Sequence, residues 1–223
     1  MCSAHPQPSP AQPSPAQPSA GPSVLVIASG NAGKVREFSE LLARLGLELH
    51  PQPEGLEVEE SGRTFAENAR LKAEAVARRT GCWALADDSG LSVDALGGAP
   101  GVHSARYGDS DAGRIARLLR ELDAAVQAAA SRGEPADRSA HFTAALAVAD
   151  PTGTIRLEVE GVCPGTILPS PRGAGGFGYD PVFHVPAVGL SFAEMDRQTK
   201  QRIGHRGRAF AALEPRLRQL LRS

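Results

Sequence analysis

The stretch Val24-Leu25-Val26-Ile27-Ala28, followed at once by Ser29-Gly30-Asn31-Ala32-Gly33-Lys34, limits the possible folds more than any other part of the chain. A short run of consecutive apolar residues, several of them β-branched, suits a strand buried on both faces, as in an α/β sheet. Beyond the glycine loop, Val35, Phe38, Leu41, Leu42 and Leu45 recur at helical spacing, and Gly46 supplies a stop. The unit is strand, glycine loop, helix. Unpaired backbone amides and the positive end of the helix dipole meet at such a loop, and Lys34 adds a full charge, so an anion such as phosphate would be stabilised there. The GxxGK spacing lacks the long loop and following hydroxyl residue of a Walker motif and is no dinucleotide fingerprint. A purely structural β–α turn therefore stands beside the phosphate reading.

A second unit reads the same way. Trp83-Ala84-Leu85-Ala86 predicts another buried strand, and it runs directly into Asp87-Asp88-Ser89-Gly90. In open α/β sheets, functional groups collect beyond the carboxyl ends of strands, which is where this acid pair would fall. Adjacent carboxylates repel, and a divalent cation relieves the repulsion. Mg²⁺ prefers one or two carboxylates completed by water and phosphate oxygens. A polar turn is the alternative, since Asp, Ser and Gly are all turn formers. Between the two strands lie the acids Glu57, Glu59 and Glu60 and then a helix, where Thr64 and Glu67 stand at capping-box spacing. Asn68 and Lys72, four residues apart, share one face of that helix, facing either a ligand or solvent.

The rest of the chain predicts a mixed sheet. After the loop GGAPGVHSARYGD, which contains Arg106, a helix buries Ile115, Leu118, Leu119, Leu122 and Val126. Apolar and polar positions then alternate from His141 to Asp150 and from Thr154 to Gly161, around Pro151-Thr152-Gly153, which reads as a β-hairpin with one wet face. Near the C-terminus, Ser191 and Glu194 form a second capping-box pair, and Pro215 is expected to begin or kink the last helix. The expected fold is α/β: a long central mixed β-sheet flanked by helices, in two lobes with a cleft between them. Within GAGGFGYDPVFHV, the group Phe177-Gly178-Tyr179-Asp180 brings two aromatic rings and a carboxylate together, as a ligand platform or as a core aromatic pair at a strand end.

Composition bears on partners and compartment. With 24 basic and 25 acidic residues the net charge is −1, so no uniform basic field favours polymeric nucleic acid. The three cysteines, Cys2, Cys82 and Cys163, are far apart and match no close-spaced zinc pattern, which points to reduced thiols in the cytoplasm. Residues 1–22, with a repeated QPSPA unit and almost no aliphatic content, are expected to be a disordered Pro/Ser/Gln/Ala-rich tail, leaving residues 23–223 as the folded domain. No apolar run is long enough to cross a bilayer, and no membrane role is expected.

Taken in order, SGNAGK, EESG with TFAENA, ADDSG, LGGAPGVHSARY, GGFGYDP and a lysine followed by His-Arg resemble the inosine triphosphate pyrophosphatase family over about residues 24–221. The resemblance implies a Mg²⁺-dependent homodimer that cleaves inosine, deoxyinosine and xanthosine triphosphates to monophosphate and pyrophosphate. It implies that Ser29, Gly30, Asn31, Ala32, Gly33 and Lys34 hold the triphosphate. Glu59 and Asp88 would bind the metal, with Asp88 also the base for water and Ser89 a substrate contact. Phe177, Gly178, Tyr179, Asp180, Lys200, His205 and Arg206 would form the nucleoside pocket, and Lys72 and Arg106 are candidates for stabilising charge on the leaving group. Two positions depart from the family's usual pattern: Ser29 stands where threonine is common, and Gly204 where a serine usually precedes His-Arg.

Overall fold

The computed structural model describes residues 24–221, so the expected N-terminal tail lies outside the described residues. A seven-stranded mixed sheet forms the centre, in the order β2-β1-β3-β4-β5-β6-β7. β1 (Val24–Ala28) pairs in parallel with β2 (Glu48–Pro51) and β3 (Trp83–Val93). The remaining pairings, through β4 (Ser139–Ala149), β5 (Ile155–Ile167), β6 (Phe183–Val185) and β7 (Leu190–Ser191), are antiparallel.

Among the described residues five α-helices accompany the sheet, and the side-chain alternation of β1 shows how they are distributed. Leu25 and Ile27 point into a core of large residues with Phe38, Leu41 and Leu42 of α1 (Ala32–Leu42) and Phe210, Leu213 and Leu217 of α5 (His205–Leu220). Val26 and Ala28 point the other way, into an alanine-rich layer built from Ala84, Ala86, Ala145, Ala147 and Ala149. Small side chains on that face let α2 (Phe65–Thr80) settle close through Ala69, Ala73 and Ala77. The Thr64–Glu67 capping box is present, with both reciprocal bonds, and fixes where α2 begins. α1 gives way to a short 3-10 turn that ends at Gly46, whose φ of 68° is the left-handed conformation glycine adopts without strain.

The long strands carry the second lobe. Past the first two cores, β3, β4 and β5 run on into a separate cluster of Leu91, Phe142, Ile167, Phe183 and Phe192, covered by Ile115, Leu118 and Leu122 of α3 (Asp111–Ser131).

Several local expectations change on assembly. β3 does not stop at Ala86: Asp87, Asp88 and Ser89 continue it, paired with Leu146, Ala145 and Ala144 of β4, so the antiparallel ladder outweighs the turn preference of Asp, Ser and Gly. β4 has no wet face along most of its length, because helices pack on both of its sides; only β5 alternates. Ser191 and Glu194 make both capping-box hydrogen bonds, yet around a turn rather than a helix start. The helix there is α4 (Arg197–Ile203), capped instead by Asp196, whose carboxylate accepts from the Thr199 amide at 2.7 Å. Pro215 lies inside α5 and does not begin it. Among the described residues, no helix is long and apolar enough to cross a membrane.

Candidate active site

The parallel pairing of β1 with β3 ends at Ala28 opposite Ala86. From Asp87 onward β3 is no longer paired with β1, and Lys34, from the helix that follows β1, reaches Asp87 on the freed side. The acid pair therefore sits mid-strand, at the junction of the two lobes, beside the glycine loop. Asn31 caps α1, its side-chain oxygen accepting from the amides of Gly33 at 2.9 Å and Lys34 at 3.2 Å. Two of the amides expected to be free for an anion are thus already satisfied by Asn31.

Charge at this end is closely paired. Lys34 Nζ lies 2.7 Å from Asp87, and the Arg206 guanidinium lies 3.6 Å from the same oxygen. Burial alone would raise the Asp87 carboxyl, but the two cations outweigh it and hold it well below the usual carboxylate range. Burial pushes the Lys34 ammonium down, against the pull of Asp87. Asp87 Oδ1 is buried and has no hydrogen-bond partner among the described residues. Asp88 accepts from Lys72 Nζ at 2.9 Å and from the Asn68 side-chain amide at 3.1 Å. Asn68, completely buried on α2, is held in turn by the Gly62 amide at 2.8 Å. Burial raises the Asp88 carboxyl, with Lys72 opposing.

Lys72 also donates to Glu60 at 2.9 Å, so one ammonium bridges two carboxylates, and Arg106 closes the group at 3.0 Å from Glu60. For Glu60, burial would raise the carboxyl, but Lys72 and then Arg106 hold it low. The carboxylates of Asp88 and Glu60 are hard oxygen donors, the type Mg²⁺ takes, and each is engaged here by Lys72 and a second donor. No group of three or more His, Cys, Asp or Glu side chains is arranged to hold a metal among the described residues.

The other end combines aromatic rings with paired charges. Phe177 packs against the start of α1: a Cβ on Gly33 would lie 3.0 Å from its ring, so any larger residue there would push on the ring. Lys200 and Arg206 lie over that ring, at 5.2 and 5.3 Å. Asp180 turns back to accept from the Phe177 amide at 2.9 Å and from Lys200 at 2.6 Å. The Tyr179 hydroxyl donates to the Ser104 carbonyl at 2.9 Å, an anchoring role deep in the second lobe. Gly178 donates its amide to Asp111 at 2.7 Å. Arg206 spans the two ends, donating to Glu37 at 2.8 Å and to Ser89 at 2.7 Å. His205 is buried and stacked on Phe142 at 4.7 Å, and neither ring nitrogen has a partner among the described residues. Burial, reinforced by Arg206, pushes its pKa well below the ordinary value, so the ring is neutral.

Three adjoining cavities make one cleft. Ser29, Gly30, Asn31, Lys34 and Lys72 line a polar chamber of about 370 Å³. Asn31 and Lys34 also line the central cavity of about 110 Å³, together with Glu60, Asp88 and Ser89, and Phe177 to Asp180 form its far wall. Phe177, His205 and Arg206 continue into a third chamber of about 320 Å³ that reaches Lys200.

A profile of the Ham1 family matches residues 25–216. The chain belongs to the Ham1 family. A protein of Synechococcus sp. (strain CC9311) named dITP/XTP pyrophosphatase is 61% identical over 198 residues, covering 89% of this chain and 91% of that one. Among solved structures, a HAM1 protein from Coxiella burnetii matches with a TM-score of 0.78 at 42% identity, covering 88% of this chain and 98% of that one. A nucleoside-triphosphatase/dITP/XTP pyrophosphatase from Mycobacterium abscessus matches with a TM-score of 0.65 at 41% identity, covering 86% and 99%.

Of the residues that the family resemblance singled out, Ala32 and Gly33 lie in the first turn of α1 and line none of the three chambers. Glu59 is exposed, and it is Glu60 that faces the Asp88 group. Arg106 reaches the site only through Glu60. Sequence reasoning did not single out Asp87 or Glu37 as separate site residues. Glu37 follows Lys34 by three residues and so shares its helix face, a signal that was available.

Proposed function

We propose that this Ham1-family chain is a Mg²⁺-dependent nucleoside triphosphate pyrophosphatase. It converts non-canonical purine triphosphates (dITP, ITP and XTP) to the monophosphate and pyrophosphate and so clears them from the nucleotide pool. One observation carries the reading: Asn31, Lys34 and Asp88 face the same cavity as Phe177, His205 and Arg206, so a single nucleotide can reach both groups. The names of the relatives support the substrate class.

Bound Mg²⁺ would neutralise phosphate oxygens and lower the pKa of a bound water. Asp88 and Glu60 are the residues in position to hold it, Glu60 taking the part expected of Glu59. Asp88 also acts as base for the attacking water; a carboxyl that burial pushes up is better matched to taking a proton near neutral pH than an ordinary one. Lys34 and Lys72 face charge developing on the phosphates, and Asn31 orients the loop. At the other end, Phe177 gives the purine a ring to stack on. His205, neutral and without a hydrogen-bond partner among the described residues, has one ring N–H to offer a base with an acceptor at its 6-position. Adenine would bring an amino donor there and leave a buried donor unpaired, a mismatch that such sites reject on the order of 10⁴-fold.

A pyrophosphate-release assay with Mg²⁺ and dITP, XTP, dATP, dTTP or dUTP tests the proposal, with Asp88→Asn as control. Turnover of dITP and XTP far above the other three is expected. Equal turnover of the pyrimidine nucleotides, or none of any triphosphate by folded protein, would refute it. The family resemblance further supports a cytoplasmic homodimer, which sedimentation would check for assembly.

A further inference from the structure

The nucleoside end depends on α4, and α4 is weakly rooted. None of its seven residues is fully buried; only Ile203, with Met195 just before it, packs against the second core. Yet α4 carries Lys200, whose ammonium lies 2.6 Å from Asp180 and over Phe177. What ties α4 to the phosphate-loop helix across the cleft is polar. Glu37 and Glu40 project from the same face of α1, while Arg197, Lys200 and Gln201 project from one face of α4. Glu37 is already committed to Arg206 at 2.8 Å and is 3.4 Å from Lys200. Glu40 has no such second duty: its two oxygens take Arg197 at 2.5 Å and the Gln201 amide at 3.0 Å. Glu40, Arg197 and Gln201 all line the mouth of the nucleoside-side chamber.

We infer that Glu40 is a positioning residue for the nucleoside pocket: it clasps α4 to α1 and so keeps Lys200 against Asp180 and Phe177. It touches no substrate and acts through Lys200. Because Arg197 is 70% exposed, the pair adds little to global stability, and salt screens it. The clasp should therefore appear in substrate capture rather than in folding or chemistry.

The inference rests on the triphosphatase reading, and its test keeps the two apart. KM and kcat for dITP are measured for wild type, Glu40→Ala, Glu40→Gln and Glu40→Arg/Arg197→Glu, at low and high salt, alongside thermal unfolding. Glu40→Ala should raise KM about five-fold with kcat within about two-fold and Tm almost unchanged. Glu40→Gln, which can still meet Gln201, should fall between it and wild type, and the charge swap should recover most of the loss. The ratio of variant to wild-type KM should shrink towards one at high salt. A wild-type KM in Glu40→Ala, or a fall in kcat and Tm together, overturns the clasp while leaving the function standing. A wild type that turns over no triphosphate overturns the function itself.

Discussion

The two ends of the cleft are built on opposite principles. At the phosphate end the charges meet in opposite pairs: Lys34 with Asp87, Lys72 with Asp88 and Glu60, Arg106 with Glu60. Lys34, Lys72, Asp87 and Asp88 sit on a central strand and the helices beside it, while Glu60 reaches in from a loop and Arg106 from a 3-10 turn. At the nucleoside end Lys200 and Arg206 are paired as well, but the groups that set it apart are a neutral buried imidazole with no hydrogen-bond partner among the described residues and an aromatic ring on a glycine-rich loop. The first end balances charge and exchanges its internal partners for a polyanion and its cation. The second end is defined by missing hydrogen bonds, which a base edge can supply. Only Arg206 belongs to both, through Asp87 and Ser89 on one side and Phe177 on the other.

This contrast predicts that substitutions at the phosphate end act on turnover and those at the nucleoside end on binding. The largest effect is expected for Asp88→Asn, which keeps the shape but removes the base and one of the carboxylates proposed to hold the cation: steady-state kinetics at saturating Mg²⁺ should show kcat for dITP lower by about 10³-fold or more. Phe177→Leu should instead raise KM about ten-fold for every purine triphosphate alike, since stacking is worth ~1–3 kcal/mol per base and is blind to base identity. Equal loss of kcat in both variants would erase the distinction between the ends.

A third test is thermodynamic. The His205 pKa is lowered in the folded protein, so its contribution to stability is fully present above the unfolded value near 6.5. It is lost as pH falls from there towards the folded pKa, because only the unfolded chain takes up the proton. Denaturant melts should show this residue contributing a loss of about 1.4 kcal/mol per pH unit below ~6.5. His205→Phe should flatten that limb by the same amount; an unchanged slope would mean that the ring is not held neutral. The smallest effect is expected for Arg106→Ala, since Arg106 is half exposed and reaches the site only through Glu60; kcat/KM should fall less than about three-fold.

The same contrast explains what could be read from the sequence. The strand-loop-helix start, the Thr64–Glu67 box and the mixed sheet were legible because each is written in local spacing. The position of the acid pair was not. Asp87-Asp88-Ser89-Gly90 carries turn chemistry, and only its pairing with Ala144 to Leu146, more than fifty residues away, keeps it extended. Likewise, nothing in the string Glu57 to Glu60 tells which glutamate meets Lys72; the path of the loop across the Arg106 segment decides it. The orphaned nitrogens of His205 depend on Phe142, brought beside the ring by the antiparallel sheet.

The central claim, that one nucleotide spans both ends, is tested most directly by a crystal structure of the Asp88→Asn protein soaked with dITP and Mg²⁺. The account predicts the purine against Phe177 within reach of Arg206, and the triphosphate between the Asn31–Lys34 loop and residue 88. A base bound away from Phe177, or phosphates that never approach Lys34, would contradict it.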